Sequence, residues 1–146
     1  WAGVHSDLEF SAEIELEPGA RAGLILRYGP ADRSGIAVVL DRRRQLASVE
    51  RIHESGPWHP FSQGSPLEEM RAPVTARQRL RLVARGPYLD AYLDGNLLFT
   101  GSHLRDNPLG ETGLCVGEGA AQFSRLEGFH LEPLVPQRVP LQEPRK

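Results

Sequence analysis

The side chain with the most distinctive ligand chemistry ends a short apolar strand. Arg27 follows Gly23–Leu26, and its guanidinium can donate two parallel hydrogen bonds to neighbouring hydroxyl groups or to a carboxylate. Alternation along a strand places Arg27 on the face opposite Leu24, so we expect an outward side chain whose replacement by alanine abolishes ligand binding and leaves the fold intact. The alternative is a surface arginine paired with Glu13 or Glu15.

A row of carboxylates follows the first part of the chain. Glu9, Glu13, Glu15 and Glu17 alternate with apolar residues and therefore share one face of a strand. Carboxylate oxygens accept hydrogen bonds from ligand hydroxyl groups, and Glu15 is the favoured candidate if its strand pairs with the strand of Arg27. The alternative is a solvated edge strand whose charges prevent edge-to-edge pairing.

Aromatic side chains offer a second kind of contact. Trp58 lies in an irregular stretch beside two prolines, and its indole can stack on the C–H face of a sugar ring; the alternative is a tryptophan that plugs the end of the fold. A late strand presents Tyr88, Asp90 and Tyr92 on one face. The predicted ligand-binding residues are Glu15, Arg27, Trp58, Tyr88 and Asp90, and no catalytic residue is predicted.

Several kinds of chemistry are excluded by what surrounds these residues. The five histidines lack the spacing of a zinc site, and nucleophile, phosphate-loop and dinucleotide motifs are absent. The single cysteine, Cys115, lies between apolar neighbours, which predicts a buried and unreactive thiol. A net charge of −2 argues against nucleic acid and an anionic membrane as partners, and Arg42–Arg44 is typical of a solvated turn.

Alternating and short apolar runs predict the strands that must position these residues. With 15 glycines and 12 prolines in 146 residues, the chain is turn-rich, and Asp94–Gly95 is a strong signal for a two-residue hairpin. The stretch 53–73 has no period and is either one long loop or holds a short strand near Trp58.

Eight to ten short strands without a helix indicate an all-β sandwich or barrel. The strands are predicted at 8–17, 23–28, 36–40, 46–52, 79–85, 88–93, 96–100, 112–117 and 122–131. We expect one domain over 1–134 and a Pro-rich tail over 135–146.

Three segments resemble a known group of β-sandwiches. The order resembles the concanavalin-like/laminin-G-like jelly rolls, which place a G-L-x-x-R strand early, a Y-x-D-G hairpin late and G-x-x-G-L…F last. Within this group it is most similar to the sandwich of family 32 glycoside hydrolases and to family 66 carbohydrate-binding modules. The segments are 10–16 with 22–27, 80–86 with 88–95, and 110–114 with 120–126.

The resemblance implies a two-sheet antiparallel jelly-roll that binds carbohydrate and does not cleave it. It implies a shallow pocket for the terminal fructose of levan or a similar fructan, a glycoside hydrolase catalytic domain as partner, and an extracellular location. It also keeps Arg27 as a site residue and allows a structural Ca²⁺, although no Asp-rich loop marks one. The alternatives are an accessory domain that packs on a hydrolase without touching sugar, and a small glycan-active enzyme with two facing carboxylates.

Overall fold

Ten antiparallel strands make up two five-stranded sheets in the computed structural model, which describes residues 6–29, 31, 33–53 and 65–131. The first sheet has the order β10-β1-β6-β7-β8 and the second the order β5-β4-β3-β2-β9. The sheets share one core, so the predicted two-sheet antiparallel sandwich is confirmed. The strands are β1 (Leu8–Leu16), β2 (Arg21–Gly29), β3 (Ser34–Asp41), β4 (Leu46–His53), β5 (Ser65–Arg71), β6 (Arg77–Arg85), β7 (Tyr88–Leu93), β8 (Asn96–Gly101), β9 (Glu111–Glu118) and β10 (Ala121–His130).

Strict alternation explains the first sheet. Phe10 and Ile14 of β1 point into the core, and Phe10 faces Leu82 of β6 across the strands. The polar residues between them lie on the outer face, as a half-buried strand requires. Each fully buried aliphatic or aromatic side chain contributes about 1.5–3 kcal/mol relative to an exposed one, so this pattern fixes which face is inner.

The second sheet is buried on both faces at its centre. In β3, Ile36, Val38 and Leu40 belong to the main core, whereas Ala37 and Val39 belong to a smaller apolar cluster on the opposite face. A strand that is apolar at every position is expected to be buried on both sides. The centre of this sheet's outer face is therefore apolar and buried rather than exposed to solvent.

The sequence missed β5. Its residues lie in the stretch predicted to be aperiodic, and the strand pairs with β4 at one edge of the second sheet. Pro66 and five further exposed residues give it no alternation, which an edge strand tolerates. The residues around Trp58, for which a long loop and a short strand were the alternatives, and the predicted boundary between 134 and 135 lie outside the described residues.

The late hairpin has the predicted geometry. Asp94 and Gly95, which join β7 to β8, both have positive φ, 49° and 85°. Type I′ turns require this at both central positions, and Asp-Gly meets the requirement at low cost.

Among the described residues no helix is long and apolar enough to cross a membrane.

Candidate binding site

The prediction that Arg27 faces outward is wrong. The pairing of β2 with β3 is irregular between Leu26 and Gly29, and Arg27 itself has a φ of 55°. A residue in the left-handed region at a bulge breaks the alternation of the strand. The side chain therefore turns into the end of the sandwich and is only 2% exposed.

The guanidinium of Arg27 binds backbone rather than facing solvent. It donates to the carbonyl oxygens of Ser6 (2.7 and 3.0 Å), Gly86 (2.6 Å) and Asn107 (3.1 Å), and lies 3.4 Å from an Asp7 carboxylate oxygen. Burial lowers the pKa of Arg27, and the charge of Asp7 opposes that shift. Arg27 thus ties together three segments at one end of the fold, and it pairs with neither Glu13 nor Glu15.

The other predicted site residues do not converge. Glu15 is not on a strand next to Arg27, because β1 pairs with β10 and β6. Glu15 and Asp90 share the outer face of the first sheet, but their partners on β6, Arg77 and Val83, are six residues apart. At about 3.4 Å per residue, Glu15 and Asp90 are separated by about 20 Å.

The remaining predicted residues have few contacts or lie outside the described part of the chain. Asp90 accepts a 2.6 Å hydrogen bond from Thr100, and Tyr88 is exposed near the far end of the sheet. Trp58 lies outside the described residues. The five residues predicted from the sequence therefore do not form one pocket in the part of the chain that is described.

The outer face of the first sheet is a ladder of ion pairs. Arg77 forms a two-pronged pair with Glu13 (3.1 and 3.3 Å), Arg79 binds Glu127 (2.9 Å), and Arg81 binds a Glu9 carboxylate (2.9 Å). The Arg77 contact lowers the pKa of Glu13 below its usual value. β1 is thus an interior strand with paired charges, and the solvated-edge alternative for its carboxylates is wrong.

A second group of charges lies on the outer face of the second sheet and was not predicted. We call the side chains of Arg21, Asp41, Ser48 and Glu50 the polar basin. Glu50 and Asp41 are only 3% and 6% exposed. Glu50 accepts a hydrogen bond from Ser48 (2.6 Å) and another from Arg21, whose Nε also lies 3.8 Å from Asp41. The four side chains hold one another in place.

A glycine on β2 leaves space for the polar basin. Gly23 pairs with Val39, and a Cβ on Gly23 would collide with the backbone carbonyl of Val38. The outer face of β2 therefore carries no side chain between Arg21 and Ile25. The open side of the basin is a cavity of about 300 Å³, lined by Arg21, Asp41, Arg44, Leu46, Ser48 and Glu69.

One signal in the sequence could have indicated this site. The run Ile36–Leu40 has no polar face, so its outer side had to be buried, and the alternating Ser48 and Glu50 of the next strand had to share that side. Polar side chains beside a buried apolar strand are expected to be hydrogen-bonded to one another or to a ligand. Sequence spacing could not predict that Arg21 belongs to this site, because only the pairing of β2 with β3 places Arg21 beside Asp41.

Cys115 lies at the edge of the polar basin. Together with Arg21 and Glu50 it lines a narrow crevice on the outer face, and it packs on the small apolar cluster of Ile25 and Ile52. Its neighbours in β9, Leu114 and Val116, point the other way, as expected, but both are exposed. Cys115 is half-buried rather than fully buried as predicted.

We predict slow modification of Cys115. Burial raises the pKa of its thiol to about 11, so only about one molecule in a thousand carries the reactive thiolate at pH 8. Alkylation of the folded chain by iodoacetamide should be far slower than in urea and rise about tenfold per pH unit up to pH 10. A native rate equal to that of a free thiol would contradict this.

A cavity larger than that of the polar basin lies at the end of the first sheet. We call it the end pocket; it measures about 510 Å³, and its lining includes Glu15, Glu17, Arg77 and Gln122. The side chains of Glu15 and Arg77 are 43% and 61% exposed. We favour the polar basin as the principal site, because buried and mutually bonded groups are held for a ligand while exposed ones must be ordered by it.

The described side chains do not supply a metal site. Within residues 6–53 and 65–131, leaving out 30 and 32, no group of three or more His, Cys, Asp or Glu side chains is placed to hold a metal ion. The Asp41 and Glu50 carboxylates face arginines instead. A structural Ca²⁺ would need more oxygen ligands than this arrangement provides.

Comparison with known proteins gives fold matches but no family match. No protein-family model matches the sequence, and no curated protein matches it. A family 66 carbohydrate-binding module of Bacillus subtilis superposes with a TM-score of 0.73 at 21% identity, over 87% of this chain and 77% of that one. A galectin of Caenorhabditis elegans gives a TM-score of 0.59 at 11% identity, over 86% and 84% of the two chains.

A larger enzyme contains a similar sandwich. A fructosyltransferase from A. japonicus superposes with a TM-score of 0.68 at 16% identity, over 94% of this chain and 26% of that one. The chain thus spans about a quarter of that protein's length. Identities this low establish the fold and not the ligand. The chain therefore has the concanavalin-like β-sandwich fold that its sequence motifs resemble.

Proposed function

We propose that this domain binds carbohydrate without cleaving it and that the sugar occupies the polar basin. The observation that carries the proposal is a pair of buried carboxylates, Asp41 and Glu50, held by Arg21 and Ser48 beside a cavity of about 300 Å³. Arg21, Asp41 and Ser48 line this cavity, and the buried Glu50 behind them holds Arg21 and Ser48 in place. The lining therefore offers donors and acceptors at fixed positions, which is what a ring of hydroxyl groups requires.

The charges of the polar basin favour a neutral ligand over an anionic one. Arg21 and Arg44 are offset by Asp41 and Glu50, and Glu69 adds one more carboxylate to the cavity lining. Arg44 is half-exposed and already bonded to Asp41 at 2.8 Å, so an anion finds no free cation there. Neutral sugars gain little net energy from each hydrogen bond in water. We therefore expect dissociation constants between about micromolar and millimolar.

The neighbouring structures support a sugar ligand and suggest the first one to test. The Bacillus subtilis structure is named as a carbohydrate-binding module, and the A. japonicus protein as a fructosyltransferase. Fructan is therefore the first probe, with a glycoside hydrolase catalytic domain as the proposed partner and the outside of the cell as the proposed location.

Binding suits the polar basin better than catalysis does. Glycoside cleavage requires one carboxyl group to give a proton to the glycosidic oxygen and a second to face it across the sugar. Asp41 and Glu50 instead each accept hydrogen bonds from an arginine. An acid that is held in such contacts is poorly placed to deliver a proton.

A panel of glycans tests the proposed function. Affinity electrophoresis of the full chain in gels containing levan, inulin, xylan or arabinan should show retardation in at least one, with levan expected first. The same samples should release no reducing sugar. Free migration in every gel would overturn carbohydrate binding, and steady release of sugar would overturn the non-catalytic assignment.

One observation favours a second candidate, an accessory domain that packs on a catalytic domain. Four large apolar side chains are exposed on β9 and β10, the outermost strands on one side of the sandwich. Apolar patches of this kind often mark protein contacts. The accessory role predicts no retardation in any gel. The four residues are Leu114, Val116, Leu126 and Phe129.

A further inference from the structure

The end pocket is built where three strands of the first sheet begin or end. The backbone N–H of Leu16 donates to the carbonyl of Ala76 (2.7 Å), and that of Glu17 donates to the carbonyl of Ala120 (3.1 Å). These bonds hold the end of β1 between the starts of β6 and β10. Three alanines line the pocket, and their short side chains leave its floor open and apolar: Ala76, Ala120 and Ala121.

Some polar side chains of the end pocket have few partners. Arg77 is paired with Glu13, and it reaches Glu15 in the pocket lining only at 3.5 Å. Among the described residues, neither Gln122 nor Glu17 has a side-chain hydrogen bond or ion pair. The ladder of ion pairs thus ends in groups that still have hydrogen-bonding capacity.

The chemistry of these groups selects hydroxyl donors. Carboxylates only accept hydrogen bonds, an amide does both, and the alanine floor can meet the C–H face of a ring. In the pocket lining Glu15 and Glu17 outnumber Arg77, so the local charge is negative and a uronate or phosphate is disfavoured. The fitting ligand is a neutral polyhydroxylated unit.

The end pocket and the polar basin lie at the same end of the sandwich. β1 ends at Leu16, and β2 begins only five residues later at Arg21, which belongs to the basin. Packed sheets are about 10 Å apart, so both sites lie within reach of one glycan chain of several sugar units. The end of β9 and the turn that follows it also connect the two sites, since Gly117 of β9 lines the crevice at the basin and Ala120 of the turn lines the end pocket.

We infer that the end pocket is a second, weaker glycan contact that acts with the polar basin on long or branched neutral polysaccharides. This inference rests on the proposed function, because the basin supplies the first contact. Once one unit is held there, binding of a second unit becomes intramolecular, and affinity for the polymer rises without any new strong contact. A short oligosaccharide cannot use both sites.

The experiment compares two probes on three forms of the full chain. The probes are kestotriose, a trisaccharide, and high-molecular-weight levan. The forms are the parent, Gln122→Ala in the end pocket, and Ser124→Ala, which changes an exposed side chain two residues along the same strand. Affinities come from calorimetry for kestotriose and from affinity electrophoresis for levan.

We expect Gln122→Ala to weaken levan binding at least about tenfold and to leave kestotriose binding within about twofold. Ser124→Ala should change neither. Unchanged levan affinity in Gln122→Ala, or equal loss for both probes, overturns the second contact while the proposed function stands. A parent that binds neither probe and migrates freely in every gel of the glycan panel overturns the proposed function and this inference with it.

Discussion

Replacing Arg27 with alanine is expected to lower the free energy of unfolding by about 3–5 kcal/mol, which a urea titration would measure. The substitution removes every donor that Arg27 supplies to the carbonyls of Ser6, Gly86 and Asn107. A buried acceptor left without a donor costs about 1–3 kcal/mol. The loss should appear as a lower midpoint with an unchanged slope.

Arg125 provides a matched control for this substitution. It also has a positive φ, 50°, but its side chain is 75% exposed. Arg125→Ala therefore repeats any backbone cost of placing alanine in the left-handed region without removing buried hydrogen bonds. It should change the unfolding free energy by about 0.5 kcal/mol or less. A similar, small loss for both variants would show that Arg27 is not a structural tie.

The contrast between Arg27 and its strand shows what the sequence could reveal. Leu24 and Leu26 share the core face of β2, which agrees with simple alternation because the local pattern determines which residues share a face. Alternation failed one residue later, where the bulge and the left-handed backbone reverse the direction of the side chain. The donors of Arg27 are satisfied by segments up to 80 positions away, and no local pattern encodes such contacts.

The same limit applies to the polar basin. The strands that form it were predicted, because continuous apolar runs and turn residues mark them. The order of the strands was not, and β2 lies between β3 and β9 rather than beside β1. Arg21 and Glu50 meet only through that order. Glu15 and Asp90 were predicted to share one site because that prediction, too, lacked the order of the strands.

Replacing Arg21 with methionine is expected to weaken glycan binding at least about thirtyfold, which corresponds to about 2 kcal/mol. The change removes the donor that lies between Asp41 and Glu50 at the edge of the cavity. Because Glu50 is buried, the variant also loses stability. Binding must therefore be measured where circular dichroism shows a native spectrum.

Two further variants keep this prediction open to contradiction. Ser48→Ala removes one 2.6 Å hydrogen bond in the basin, and we expect it to fold normally and to bind about fivefold more weakly. Arg81→Met alters an arginine that stacks on Tyr92 at 4.5 Å on the other sheet, and it should bind as the parent does. Weaker binding by Arg81→Met than by Ser48→Ala would place the site on the first sheet.

The most direct test is a titration of the ¹⁵N-labelled chain with kestotriose, followed by backbone amide shifts. If the sugar occupies the polar basin, the amides of Arg21, Ser48 and Glu50 move with a common dissociation constant, and those of Tyr88 and Asp90 stay in place. Movement centred on Tyr88 and Asp90, or no movement with a fragment of any glycan in the panel, would contradict the central claim.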